Sequence, residues 1–378
     1  MKIVIAPDSY KGSLSQVEAA NVMKAAIREV EPMSEIILKP MADGGEGTLD
    51  ALMTAAPLSE EIPVSVVGPL GGKIASAIGI VNKDTAIIEI ASIAGLPLTP
   101  ETSRDPYQTT TYGIGEAIRI ALDYGIRKFV VGLGGSATND GGFGMLCALG
   151  AEMKNASGTS VSIYGKDLMN ITHVELGTLD PRIAHCEIYV ASDVDNPLVG
   201  KRGASYIFGP QKGATPVQID ELDQAMKNYS KLCIEANSLS ASLAVYPGAG
   251  AAGGLGFAFL TLGATLDSGA KLVADTTSLE DSLKSVDLVL TGEGKSDMQT
   301  IDGKAPGYVA GLAKKYNIPV ILIAGTIVDH DQLLQKKFTE VHAITSSDIN
   351  VKQAMREAKM LLFNKTKQVF KDWVKLTT

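Results

Sequence analysis

Short β-branched and aliphatic runs alternate with segments of helical period at both ends of the chain. KIVIA (2–6) has the length and composition of a buried strand, and Pro7 ends it. Ser15-Gln16-Val17-Glu18 has the capping-box spacing that opens a helix. Behind it Val22, Met23, Ala26, Ile27 and Val30 keep a helical period. EIILK (35–39) predicts a second strand, so the chain begins β-α-β. Towards the other end, 286–290 and 320–324 read as strands around a helix. TEVHAIT (339–345) reads as one more strand, and 351–374 as an amphipathic closing helix. The middle differs. IPVSVVG, KIASAIGIV and TAIIEI between residues 62 and 90 are separated by PLGG and NKD, which predicts antiparallel strands and a change of subdomain.

This pattern predicts an α/β protein of two domains. A discontinuous Rossmann-like, doubly wound parallel-sheet domain would take residues 1–65 and 284–378, with a second, mixed-sheet α/β domain (66–283) inserted. A chain of 378 residues is long for a single core, which agrees. In open α/β sheets ligands collect at the carboxyl ends of strands, so the loops there draw attention.

The densest of these loops is VGLGGSATNDGGFGM (131–145), after the strand-like KFVV, with six glycines in fifteen residues. Such a loop either wraps an anion with bare backbone N–H groups or is a tight strand-to-helix turn. Other loops repeat the logic. Asp8, Ser9, Tyr10 and Lys11 follow the first strand; Asp43, Glu46 and Thr48 lie in PMADGGEGTLDALM (40–53) after the second. Arg104 lies in a polar loop before Thr109, Thr110 and Thr111, threonines that either cap a helix or donate to phosphate. Asp193, Asp195 and Asn196 follow the strand-like YVA, and Lys212 sits in GPQKGATP. Gly248 to Gly256 make a further Gly/Ala segment.

Composition narrows the chemistry. Lys plus Arg number 34 against 42 Asp plus Glu, and a net charge of −8 argues against a sequence-independent nucleic-acid binder. The three cysteines form no CxxC motif, and the four histidines lack zinc-ligand spacing. The N-terminal apolar run is too short for a signal peptide. The apolar stretch 318–328 is about half a membrane span and is broken by Pro319, Gly325 and Thr326. A cytoplasmic protein without membrane contact is expected. GEGKS (292–296) ends like a Walker A loop, but the glycine that motif requires is replaced by Val289. Gly132-x-Gly134-x-x-Ala137 and Gly248-x-Gly250-x-x-Gly253 match the dinucleotide fingerprint only loosely, so NAD chemistry is a runner-up. Glycine loops, carboxylates and lysines together are the inventory of magnesium-dependent phosphoryl transfer to a small substrate.

IAPDSYKGSLS, PMADGGEGT, TTTYGIGEAIR, GLGGSATNDGG, SDVDNPLVG, GASYIFGPQKGATP, PGAGAAGGLG and TGEGKSDMQTIDGKAP follow one another in order from Met1 to about Lys371. Together they resemble the bacterial glycerate kinase family of the type I class. The resemblance implies ATP-dependent phosphorylation of D-glycerate, 2-phosphoglycerate being favoured over 3-phosphoglycerate, within glycolate, sugar-acid or serine catabolism. Ser192, Leu133 and Lys295-Ser296 depart from the family pattern; the last puts a point-charge ammonium where an arginine is usual.

On that reading ATP phosphates lie against Gly134, Gly135, Ser136, Ala137 and Thr138, with Asp140, Gly292 and Glu293 also in the nucleotide site. Asp193, chosen over Asp8 and Asp43, accepts the hydroxyl proton, while Lys212, Lys11 and Lys304 offset charge. Asp8, Ser9, Asp43, Arg104 and Asn196 are the glycerate-binding candidates, and Asp43, Glu46 and Asp193 the Mg²⁺ carboxylates. The active site is expected in a cleft between the domains, with a homodimer as the candidate assembly. The rivals are an NAD-dependent hydroxyacid dehydrogenase and a non-catalytic organic-acid sensor.

Overall fold

The computed structural model describes residues 1–45, 47–56, 58–301, 303–329, 332–345 and 349–377. It is an α/β structure divided into two compact units. The first comprises Met1–Asp43, Asp50–Pro57 and Gly269–Thr378, the second Gly44–Leu49 and Leu58–Ser268.

The first unit holds a five-stranded sheet of β1 (Lys2–Ile5), β2 (Glu35–Leu38), β11 (Leu288–Ser296), β12 (Val320–Ile327) and β13 (Glu340–Ala343). The second holds the other eight strands found among the described residues. The order in the first sheet is β13-β12-β11-β1-β2, and every pairing is parallel. Counted along this unit alone the order is 2-1-3-4-5, the doubly wound arrangement whose switch point falls between the first and third strands. Here that point lies between β1 and β11. Ile3, Ile5, Leu288, Leu290, Ile321 and Ile323 are buried in this sheet. The helices Gln16–Val30 and Ala358–Thr377 press Met23, Ile27, Leu362 and Phe370 on it. The capping box forms: Ser15 Oγ accepts from Glu18 N, and Ser15 N donates to Glu18 Oε2.

The second unit is built on a six-stranded mixed sheet and a two-stranded ribbon. The sheet contains β3 (Ser59–Val67), β4 (Lys73–Val81), β5 (Thr85–Glu89), β6 (Lys128–Gly132), β9 (Glu187–Ala191) and β10 (Thr265–Asp267). Its order is β10-β9-β6-β5-β4-β3, parallel from β10 to β5 and antiparallel from β5 to β3. The turns PLGG and NKD thus do join antiparallel strands. The ribbon pairs β7 (Glu152–Lys154) with β8 (His173–Glu175).

Three expectations need correction. The unit boundaries fall at 57/58 and 268/269 rather than 65/66 and 283/284. β3 pairs along its whole length with β4, so a cut at residue 65 would split a hairpin. At the other boundary the buried Lys39 donates to Ala55 O at 3.1 Å and Thr277 O at 2.6 Å, tying 269–283 to the first unit. Second, GEGKS is not a loop: β11 runs through it to Ser296, held in register by β12. A Cβ on Gly292 would lie 2.2 Å from Ile323 O and 2.5 Å from the Tyr10 hydroxyl, so glycine there serves close packing. Third, the closing helix is two helices, Val351–Arg356 and Ala358–Thr377.

The Gly/Ala segment packs on the glycine-rich loop. Gly253 has φ +71°, and a Cβ on it would sit 2.0 Å from Thr138 O. Both strain and overlap resist any side chain there. Gly311, inside the helix Ala305–Lys315, has nothing within 4 Å of its would-be Cβ. Gly253→Ala should therefore cost at least about 2 kcal/mol. Gly311→Ala should be neutral or stabilise by roughly 0.5–1 kcal/mol. Urea unfolding of both variants checks the contrast, and equal effects would contradict it.

Candidate active site

In the second unit β6 delivers the glycine-rich loop directly from its carboxyl end. Gly134 N donates to Gly44 O at 3.0 Å, and a Cβ on Gly134 would lie 2.3 Å from Gly45 Cα. Ala137 N donates to Ala94 O at 2.9 Å. Two of the five N–H groups expected to cradle phosphate are therefore spent on backbone. Those of Gly135, Ser136 and Thr138 have no partner among the described residues.

Lys212 reaches this loop from the one-turn helix Pro210–Lys212. Its side chain is 2% exposed, and Nζ donates to Thr138 O at 2.6 Å and Ser136 Oγ at 3.0 Å. Burial pushes its pKa down to about 7, with the Asp140 charge opposing. Gly213 follows in the left-handed region, where a Cβ would meet Arg104 O at 2.2 Å. Lys212 and Arg104 are thus brought onto neighbouring backbone.

Asp140 is fully buried and already engaged. Its carboxylate accepts from Thr111 N at 2.9 Å, Thr111 Oγ1 at 2.7 Å and Gly142 N at 3.0 Å. Burial raises its pKa, and those donors oppose the rise. The sequence placed Asp140 with the nucleotide; here it ties the glycine loop to the threonine loop instead. Thr111 does not donate to a ligand either, since its hydroxyl donates to Asp140 and accepts from Met145 N. This Asp140–Thr111 link was missed by sequence reasoning, although TTT was visible as a polar cluster before a helix.

Asp193, at the exit of β9, is exposed. β9 pairs with β6, so Asp193 and the glycine loop issue from adjacent strand ends. Asn196 faces its own loop, donating from Nδ2 to Arg202 O at 2.8 Å, which leaves that amide hydrogen occupied. Five buried polar atoms of this unit, Arg104 Nε, Thr138 Oγ1, Asn139 Oδ1, Ser192 Oγ and Tyr229 Oη, have no partner among the described residues. Buried polar atoms are almost always bonded in native proteins, so each of these is open to a ligand or water that completes its bonding.

In the first unit a second polar cluster forms at the switch point. Asp8 N donates to Gly292 O, placing Asp8 beside β11. Burial and the Asp43 charge raise Asp8 to about 7, against smaller opposing effects of the Ser9 N–H and Lys11. Lys11 Nζ is 3.0 Å from Asp43 Oδ2, and the Asp43 charge raises the Lys11 pKa. Glu293 is buried and accepts from Ser296 Oγ at 2.9 Å and Thr300 Oγ1 at 2.5 Å. Lys304 Nζ is 3.7 Å from Glu293 and 3.5 Å from Asp297. Glu293, expected in the nucleotide site, is held by these hydroxyls beside Lys304. Thr300 was not singled out in the sequence, and Ser296 only as part of a departure from the family pattern.

Of the expected magnesium carboxylates, Glu46 lies outside the described residues, Asp43 is in the first unit and Asp193 in the second. Among the described residues no three His, Cys, Asp or Glu converge as a ready-made metal centre. No helix of the described residues is long and apolar enough to cross a membrane.

Comparison with known proteins decides what kind of chemistry these clusters serve. The Glycerate kinase family pattern matches residues 3–374. The chain belongs to the glycerate kinase family. It is 48% identical over 331 residues to the Glycerate 2-kinase of Escherichia coli (strain K12), covering 87% of this chain and 86% of that one. It is 42% identical over 361 residues to the Glycerate kinase of Bacillus subtilis (strain 168), with 95% and 94% covered. A crystal structure from Salmonella typhimurium LT2, named for glycerate kinase 2, superposes with a TM-score of 0.90 at 41% identity, covering 100% of this chain and 99% of that one. This family member is therefore an enzyme, a phosphotransferase, and the dehydrogenase and sensor readings give way.

The raised carboxyl of Asp8 has a consequence for stability. Its ordinary pKa is 3.8 and its folded value about 7, so the folded state holds the proton more tightly than the unfolded state. The cost of ionising Asp8 is absent below about pH 4, grows as pH rises and is complete above about pH 7. Asp8→Asn removes that cost. Thermal unfolding in EDTA should show a Tm gain that is larger at pH 8 than at pH 5; a gain independent of pH would contradict the assignment.

Proposed function

We propose that this family member transfers the γ-phosphoryl group of ATP to the 2-hydroxyl of D-glycerate, giving 2-phosphoglycerate and ADP. The observation that carries the reading is the buried Lys212 ammonium set into a glycine-rich loop that keeps unspent N–H groups. Backbone donors and a desolvated cation are what developing phosphate charge requires, and fixed donors in a dry site cost no reorganisation during reaction. The N–H groups of Gly135, Ser136 and Thr138 take the phosphate oxygens. Arg104, whose Nε lacks a partner, takes the substrate carboxylate.

Asp193 accepts the proton of the attacking hydroxyl. The new bond forms between that oxygen and the γ-phosphorus, and the bond from phosphorus to the β–γ bridging oxygen breaks as ADP leaves. Asp8 and Asp43 fit a magnesium ion: both offer hard oxygen donors, and their mutual repulsion in Asp8's buried setting would be relieved by a dication. Fewer than three converging carboxylates is also what that ion uses when phosphate oxygens and waters complete its shell. When bound, Mg²⁺ supplies charge for the phosphates. Lys11 and Lys304, each already beside a carboxylate, offset the remaining charge. The name of the Escherichia coli relative supports the 2-hydroxyl.

ADP release from MgATP should depend on D-glycerate, and enolase without a mutase should consume the product, since only the 2-isomer is its substrate. Asp193→Asn should lower kcat by about 10²-fold or more with the far-ultraviolet spectrum unchanged. Glycerate-independent ADP release would overturn the substrate, a product inert to enolase the 2-hydroxyl, and wild-type kcat in Asp193→Asn the base.

A further inference from the structure

The first unit contains a cleft of about 580 Å³ that no part of the phosphoryl-transfer chemistry uses. It lies between the helices Ala305–Lys315 and Leu333–Lys337. Its lining residues Ile318 and Val320 precede or open β12, and Phe338 and Thr339 precede β13. The cleft therefore sits towards the amino-terminal edge of the sheet, whereas Asp8 and Glu293 lie at the carboxyl ends of the strands. The size is within the range of small-molecule sites.

Its chemistry is two-sided. Ile301, Ile318, Leu333 and Phe338 supply an apolar wall, and Lys314, Lys336 and Lys337 supply three cations. No carboxylate is among the described lining residues. Lys314 and Lys336 make no ion pair with any described residue, whereas the neighbouring Lys315 is paired with Glu280. Lys337 Nζ donates to Ile301 O at 2.7 Å, which holds it across the cleft. In a chain of net charge −8 this is a local reversal of sign. Lys314 and Lys336 each stand in the last turn of a helix, where cations offset the dipole. That placement accounts for the charges but not for the open space between them. Gly311 lines that space, and a Cβ on it would meet nothing within 4 Å.

We propose that this cleft is a second binding site, distinct from the site of phosphoryl transfer, for a small anionic molecule with an apolar body. The carboxylate, sulfonate or phosphate of such a ligand meets Lys314 and Lys336. Its hydrocarbon part lies on Ile318, Leu333 and Phe338, over Gly311. Neither half of the cleft suffices alone: exposed lysines hold a bare anion weakly, and the apolar wall gives a neutral ligand no orientation.

The probe is 8-anilino-1-naphthalenesulfonate, an anion on an aromatic body, titrated by fluorescence into the full chain. The wild type should bind it saturably at one site, more weakly as salt rises, and the probe should stay bound when MgATP and D-glycerate are added. Gly311→Leu, which fills the cleft, and Lys314→Glu/Lys336→Glu, which reverses its charge, should each weaken binding at least tenfold while keeping wild-type kinase activity. The neutral analogue N-phenyl-1-naphthylamine should bind less tightly and be indifferent to the lysine changes. Equal affinity for the sulfonate in wild type and both variants would overturn the proposal. So would displacement of the probe by MgATP and D-glycerate. If Gly311→Leu fails to fold, the charge-reversal pair with the neutral analogue decides alone.

Discussion

The ammonium of Lys212 is the charge on which the second unit's polar architecture turns. A lysine taken out of water is costly unless its hydrogens are all directed at acceptors. Here two are, at Thr138 O and Ser136 Oγ, and a third direction remains for something else. Keeping the ammonium there requires the loop to hold its carbonyls still. Asp140 does this from below, through Thr111 and Gly142, and Gly253 does it from the side by allowing the Gly/Ala segment to touch Thr138. The glycines of the loop are thus of two kinds. Gly134 lets strands and loops approach, while Gly135 takes the left-handed backbone and its N–H group has no partner among the described residues.

The first unit solves a different problem. Its switch point collects Asp8, Asp43 and Glu293, an excess of negative charge that the fold offsets only partly. Lys11 takes Asp43, Lys304 approaches Glu293, and Asp8 is left with a raised pKa. Such frustration is characteristic of sites whose charge balance is completed by a bound cation or substrate. The lysine-lined cleft lies towards the other end of the same sheet.

Much of the architecture was legible because apolar periodicity and turn chemistry are local. KIVIA, the Ser15–Glu18 cap and the PLGG and NKD turns each announced their element without help from the rest of the chain. Boundaries that depend on distant contacts were not legible. Nothing in GEGKS says that Ile323 and Tyr10 will lie against Gly292 and draw the segment into a strand. Nothing near residue 269 says that Lys39 will bind Thr277. The same division holds for the site. The residue types that carry phosphate chemistry could be read from the loops, but their occupancy could not: Asp140 and the N–H groups of Gly134 and Ala137 are committed to the fold by partners far away in sequence, and Asn196 by a carbonyl of its own loop. Lys212 was a candidate in sequence alongside Lys11 and Lys304, and only packing reveals it as the buried one.

Lys212→Met keeps the length of the side chain and removes the charge, so it tests this account most directly. The glycine loop still has Asp140, Thr111 and Gly253 to hold it, and the variant should stay folded, with circular dichroism unchanged. Steady-state ADP release with D-glycerate should then fall at least about 10²-fold in kcat/KM, the scale of losing one fixed donor to transition-state charge. A folded Lys212→Met protein with kcat/KM within about threefold of wild type, less than about 1 kcal/mol of transition-state stabilisation, would contradict the central role given to this ammonium.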